Sequence, residues 1–130
     1  MNFKFPKKEK LKSKKLIEIL FTEGKAVSKY PFKLVYLKTK LTDDVKVQVG
    51  VSAPKRNFKR AVDRNRVKRL MRESYRLNKS LIFNSIETSY AFMFLYLGKD
   101  IPKNYDEVNK SMVKLMQKFI DNENTEILNR

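Results

Sequence analysis

The sequence predicts an α+β fold, with helices packed on a single central β-sheet. Three observations predict it. Phe32–Leu37 is a strand-like apolar and aromatic run, and Val45–Val51 alternates in polarity with a period of two. Ser89–Leu97 (SYAFMFLYL) is a continuous apolar and aromatic run. Three further stretches carry apolar residues at helical spacing. At 130 residues, 42% of them hydrophobic, the chain has material for one core and too little for two. Residues 1–130 therefore read as a single domain, with 1–12 a loose basic arm, 13–120 the folded core and 121–130 a fraying tail.

Each element has a local reason. Ser13 is a good N-cap, Leu16, Ile17, Ile19, Leu20 and Phe21 follow at helical spacing, and Gly24 suits the C′ position. A short strand near Lys25–Ser28 fits next. Pro31 opens the strand Phe32–Leu37, which puts Phe32, Leu34 and Tyr36 on one face and Lys33 and Val35 on the other. Leu41–Asp44 is a polar connection, in which Asp43-Asp44 read as turn residues. Val45, Val47, Val49 and Val51 then share a face, and this run is expected to pair with the preceding strand as an antiparallel hairpin. A second helix is predicted from about Phe58 to Asn78, then a helix end plus loop over Leu81–Thr88. Ser89–Leu97 reads as a buried central strand. Asn104 caps a last helix, with Asp106 and Glu107 favourable in its first turn. Its apolar stripe is Val108, Met112, Leu115, Met116, Phe119 and Ile120.

Composition narrows the function. Thirty Lys and Arg oppose 14 Asp and Glu, a formal net charge of +16. Such an excess attracts a polyanion, nucleic acid or an anionic membrane surface. Histidine and cysteine are both absent. Thiolate or imidazole zinc sites, disulfides, and Ser/His or Cys/His nucleophile pairs are therefore excluded. No apolar run is long enough to span a bilayer, and MNFKFPKKEKLKSKK lacks the apolar centre of a secretory signal. The expectation is a cytoplasmic protein.

The charge concentrates in Arg60–Arg72, RAVDRNRVKRLMR. Each residue turns a helix by roughly 100°. Arg64, Lys68, Arg72 and Arg76 follow Arg60 at i+4 steps as one drifting stripe, widened by Asn65 and Arg69. Val67, Leu70, Met71 and Leu77 fall on the opposite arc, with Ser74 among them. Ala61 sits inside the charged arc, where a small side chain admits a close partner. Like charges at i+4 cost an isolated helix a few tenths of a kcal/mol per pair, and a polyanion compensates. Arginine outnumbers lysine here, and its planar fork suits phosphate. Upstream, Lys55, Arg56, Lys59 and Arg60 gather charge at the helix N-terminus, where backbone N–H groups already favour a phosphate. A solvated face without ligand, a basic ribosomal protein or RNA chaperone, and a membrane-surface helix are the competing readings.

The segment VGVSAPKRNFKRAVDRNRVKRLMRESYR resembles the signature of the bacterial ribonuclease P protein component. The matching residues are Ser52, Lys55 and Arg56 before the helix, then Ala61, Val62, Arg64, Asn65, Arg66, Lys68, Arg69 and Arg72 within it. The early Leu11…Phe21-x-x-Gly24 pattern, the later strands and the final amphipathic helix follow the family's order, over about Lys10–Ile120. The resemblance implies a ribosomal-protein-like sheet with a left-handed βαβ crossover, against the usual right-handed preference. It implies an RNA partner that carries the active site and its Mg²⁺, and a precursor-tRNA substrate whose 5′ leader is removed. No catalytic side chain and no further protein partner are implied. The motif residues would contact the catalytic RNA, with Lys59 and Arg60 beside them. A leader cleft would involve Ile17, Phe21, Lys33 and Val35. Ile17 and Val35 stand where the family often has aromatics, so stacking there would rest on Phe21.

Overall fold

A computed structural model describes residues 5–42 and 45–128; Asp43 and Asp44, and the two C-terminal residues of the predicted tail, lie outside the described residues. The elements are α1 (Lys14–Glu23), β1 (Lys25–Lys29), β2 (Phe32–Lys38), β3 (Val47–Ser52), α2 (Ala61–Phe83), β4 (Tyr90–Tyr96) and α3 (Tyr105–Leu128). The strands form one sheet in the order β1-β2-β4-β3.

This order corrects the predicted hairpin. β2 pairs antiparallel with β1 and β4, and β3 pairs parallel with β4. The reason lies in β4, which is buried along nearly its whole length. A strand apolar on both faces is satisfied only in mid-sheet, with strands on either side and helices above and below. It therefore inserts between β2 and β3, and α2 becomes the crossover linking the parallel pair.

The alternation of β2 decides the layers. Phe32, Leu34 and Tyr36 join Val47, Val49, Tyr90, Phe92, Phe94 and Tyr96 beneath α2 and α3. Phe119 of α3 meets Tyr36, Tyr90 and Phe92 edge-on, with ring centroids 4.8–5.0 Å apart. Val35, Ala91 and Met93 face the other way, against Leu11 and Leu20 of the α1 side. Ser74, the polar residue on the apolar arc of α2, donates to Asn109 Oδ1 of α3 at 2.9 Å. Asn78 Nδ2 donates to the same oxygen at 2.7 Å, so a polar junction joins the two helices.

Ser13 Oγ accepts from the Leu16 N–H at 3.2 Å, as an N-cap should. Gly24 ends α1 for a different reason from the one predicted. Its φ is −72°, an extended conformation open to any residue. A Cβ there would stand 2.3 Å from the Leu20 carbonyl oxygen and 2.9 Å from that of Tyr36, so glycine permits close backbone approach. The predicted second helix begins three residues late and runs five residues further, Ala61–Phe83, because Phe58 is drawn into the core before the helix can start. Asn104 Oδ1 accepts from the Glu107 N–H at 2.9 Å, the predicted cap of α3.

Two terminal expectations are also corrected. Residues 5–11 are not a loose arm. Phe5 packs on Tyr75 with ring centroids 5.7 Å apart, Lys7–Glu9 forms a 3₁₀ turn, and the Leu11 N–H donates to the Val49 carbonyl at 3.0 Å. Glu9 and Lys79 of α2 form a buried ion pair at 3.0 Å. The segment thus runs along the free side of β3. Residues 121–128 continue α3, where the sequence suggests a tail. Glu123 is buried there and accepts a hydrogen bond from the Tyr90 hydroxyl.

Candidate nucleic-acid interface

The loop before α2 is held from below, which leaves its cations outside. Ala53 and Phe58 are buried, and Phe58 stacks on Tyr96 at 5.8 Å. The Pro54 carbonyl accepts from the Asn57 and Phe58 N–H groups. The Asn57 side-chain amide donates to the Leu97 and Gly98 carbonyls at 3.4 and 3.2 Å. Between these anchors Lys55 and Arg56 are exposed, and Lys59 and Arg60 follow, also exposed. Arg60 lies 4.0 Å from Asp63, while its own backbone is the extended N-cap of α2.

Along α2 the cations separate into two kinds. Arg66, Arg69 and Arg72 are exposed beside the neutral Asn65, and Lys68 is half-buried. Arg64 turns inward instead. Its Nη1 donates to the Phe58 carbonyl at 2.8 Å and to the Lys59 carbonyl at 3.2 Å. Arg64 is thus partly a strut for the loop, a departure from the uniform stripe that i+4 spacing predicts. Arg76, further along the same stripe, is engaged by Glu73, whose carboxyl is held below its usual range by that hydrogen bond. The exposed band therefore comprises Asn65, Arg69 and Arg72, flanked by Arg66 on one side and Lys68 on the other. Ala61 is exposed within reach of the band, as the spacing predicts.

Arg72 also lines a cleft of about 340 Å³ with Ile17, Gly50, Met93 and the N-terminal residues Phe5, Lys10, Leu11 and Lys12. The sequence reading missed Lys10 and Lys12 as parts of this wall. Only the run of charge in Met1–Lys12 marks them, and nothing local places that run beside α2. The other cleft candidates scatter. Phe21 is 50% exposed on α1. Lys33 and Ser52 share one row of the sheet, each paired with Leu95, on the face that carries α1. Val35 is buried in the α1-side core beside Gly24, so it offers little accessible surface; a branched aliphatic residue there fills the space beneath the helix. Among the described residues no three His, Cys, Asp or Glu side chains are grouped so as to hold a metal ion. Among the described residues no helix is long and apolar enough to cross a membrane.

A mixed sheet flanked by helices, with an exposed cationic band along α2, fits the class of nucleic-acid-binding proteins. Comparison with known proteins narrows that class. The ribonuclease P family model matches residues 5–120. The ribonuclease P protein component of Porphyromonas gingivalis W83 is 35% identical over 126 residues, covering 92% of this chain and 89% of the relative. The ribonuclease P protein of Thermotoga maritima superposes with a TM-score of 0.68 at 20% identity, over 85% of this chain and 96% of that one. The Staphylococcus aureus protein gives 0.66 at 17% identity, over 84% and 93%. The chain belongs to the ribonuclease P protein family, the protein components of a tRNA-processing ribonuclease. Membership displaces the broader reading of a ribosomal protein or RNA chaperone.

Proposed function

We propose that this chain binds the catalytic RNA of ribonuclease P through the exposed band of α2 and the loop before it, and holds the 5′ leader of precursor tRNA against the α1 side of the sheet. The observation that carries this reading is the shared wall: Arg72 of the basic band lines the same cleft as Ile17 of α1. A catalytic RNA docked on α2 and a leader lying by α1 would meet there, where Lys10, Lys12 and Arg72 neutralise both backbones. Each phosphate neutralised contributes about −0.7 to −0.9 to the log–log salt slope of binding.

The cleavage chemistry and its Mg²⁺ belong in this reading to the RNA partner. The protein supplies position and positive charge, in the cytoplasm. Its lack of histidine and cysteine suits that division, since no side chain of the usual general-base or thiolate kinds is present. Reconstitution with the catalytic RNA from the same source tests it. The isolated chain should leave precursor tRNA intact, and its addition to the RNA should accelerate leader removal at low Mg²⁺. A cleavage rate unchanged across the protein titration would overturn the proposal.

A further inference from the structure

A second basic surface lies at the opposite edge of the sheet. β1 pairs only with β2 and is the edge strand away from β3. α3 lies over it on the side away from α1. Lys110, Lys114 and Lys118 are exposed on α3 at i+4 steps, about 6 Å apart along the axis. Lys118 Nζ donates to the Ser28 carbonyl of β1 at 2.7 Å. Lys29 and Lys114 line one groove with Gln117, Lys118 and Asp121, which is where the positive run ends.

Helix and strand therefore run alongside in opposite senses: Asn122 bonds Tyr36, the partner of Lys25, Lys118 bonds Ser28, and Lys114 shares the groove with Lys29. The next step of each brings Lys110 and Tyr30 to the same end. Tyr30 is 73% exposed at the turn after β1. The Leu97 N–H donates to the Pro31 carbonyl at 2.7 Å, fixing this turn against the chain that leads into α3. Such a run of cations ending in an exposed ring matches the needs of an unpaired RNA strand, with phosphates along the lysines and a base on the aromatic face.

The sheet also supplies an approach. On the α1 face, Ser52, Leu95, Lys33 and Ser28 form one transverse row, from β3 to β1. Four neighbouring strands span about 14 Å. A strand following this row from the α2 side leaves the sheet at Ser28, the residue whose carbonyl Lys118 holds.

We infer that the groove between α3 and β1, with Tyr30 at its end, binds the distal part of the precursor leader after the strand has crossed the Ser52–Ser28 row. The inference rests on the leader placement proposed above.

Binding of precursor tRNA to the reconstituted holoenzyme tests it, with leaders shortened one nucleotide at a time and affinity read by fluorescence anisotropy with calcium replacing magnesium. The variants are K110Q/K114Q/K118Q and Tyr30→Ala, all at exposed positions. For long leaders, the triple variant should lower the salt slope by about two. Tyr30→Ala should weaken long-leader binding about five-fold or more. Short leaders that end on the row should bind both variants as they bind the parent. Unchanged long-leader binding, or equal losses at every length, would overturn the inference. Were the parent holoenzyme itself indifferent to leader length, the leader placement would fall and this inference with it. Length dependence that survives intact in the variants would remove the groove alone.

Discussion

Arg64 and Arg69 stand five residues apart on α2 and do different work. Arg69 projects to solvent, while Arg64 spends donors on the carbonyls of Phe58 and Lys59. Arg69→Ala should therefore reduce the salt slope of RNA binding by about 0.7–0.9 and leave the urea midpoint in place. Arg64→Ala should weaken binding and also destabilise the free protein, by about 1–3 kcal/mol, because two loop carbonyls lose a charged donor. Salt titrations and urea melts on the two variants separate these outcomes. Equal urea midpoints would remove the strut role. The sequence made the positive band legible, since i+4 spacing alone puts Lys68 and Arg72 on neighbouring turns. It could not reveal Arg64's inward turn. That depends on Phe58 being pulled into the core, where it stacks on Tyr96, a residue 38 positions away in sequence.

At the scale of elements, strand identity was legible and strand partnership was not. A strand-like run after Pro31 marks β2, alternation marks β3 and continuous apolarity marks β4, yet periodicity carries no information on which strand lies beside which. The predicted β2–β3 hairpin failed because β4 has two apolar faces and must occupy the middle. The docked N-terminal segment was hidden for a similar reason. Glu9 among lysines looks like a solvated charge, and its partner Lys79 is 70 residues away. That pair, with the Phe5–Tyr75 packing, holds the segment on α2. Lys79→Met should destabilise the fold by about 3–5 kcal/mol, since Glu9 would be left buried without its partner. Adding Glu9→Gln to it should return part of the loss. Urea unfolding of the single and double variants gives the comparison, and a single variant as stable as the parent would show that Glu9 reaches water when unpaired.

Across the whole molecule, charge and burial pull in different directions. Burial raises the hydroxyl pKa of Tyr75, with the Glu9 carboxylate adding to it, and burial followed by the Glu123 carboxylate raises that of Tyr90. A tyrosine whose folded pKa lies above its unfolded value near 10 contributes stability that is fully present below pH 10. That contribution is lost as pH climbs through and beyond this value, because the unfolded chain gives up the proton first. The unfolding free energy should hold level from about pH 7 to 9 with respect to these groups and decline above about 10, by roughly 1.4 kcal/mol per pH unit for Tyr75 alone. Urea melts across this range would show it, and a Tyr75→Phe variant should soften the decline. The contrast between the sheltered Glu9–Lys79 pair and the open cationic band has a practical side. Dissolved ions screen exposed charges strongly and enclosed pairs far less. Concentrated salt should consequently wash nucleic acid from this molecule during purification while its terminal segment stays clasped, so that simple dilution returns a protein ready to bind.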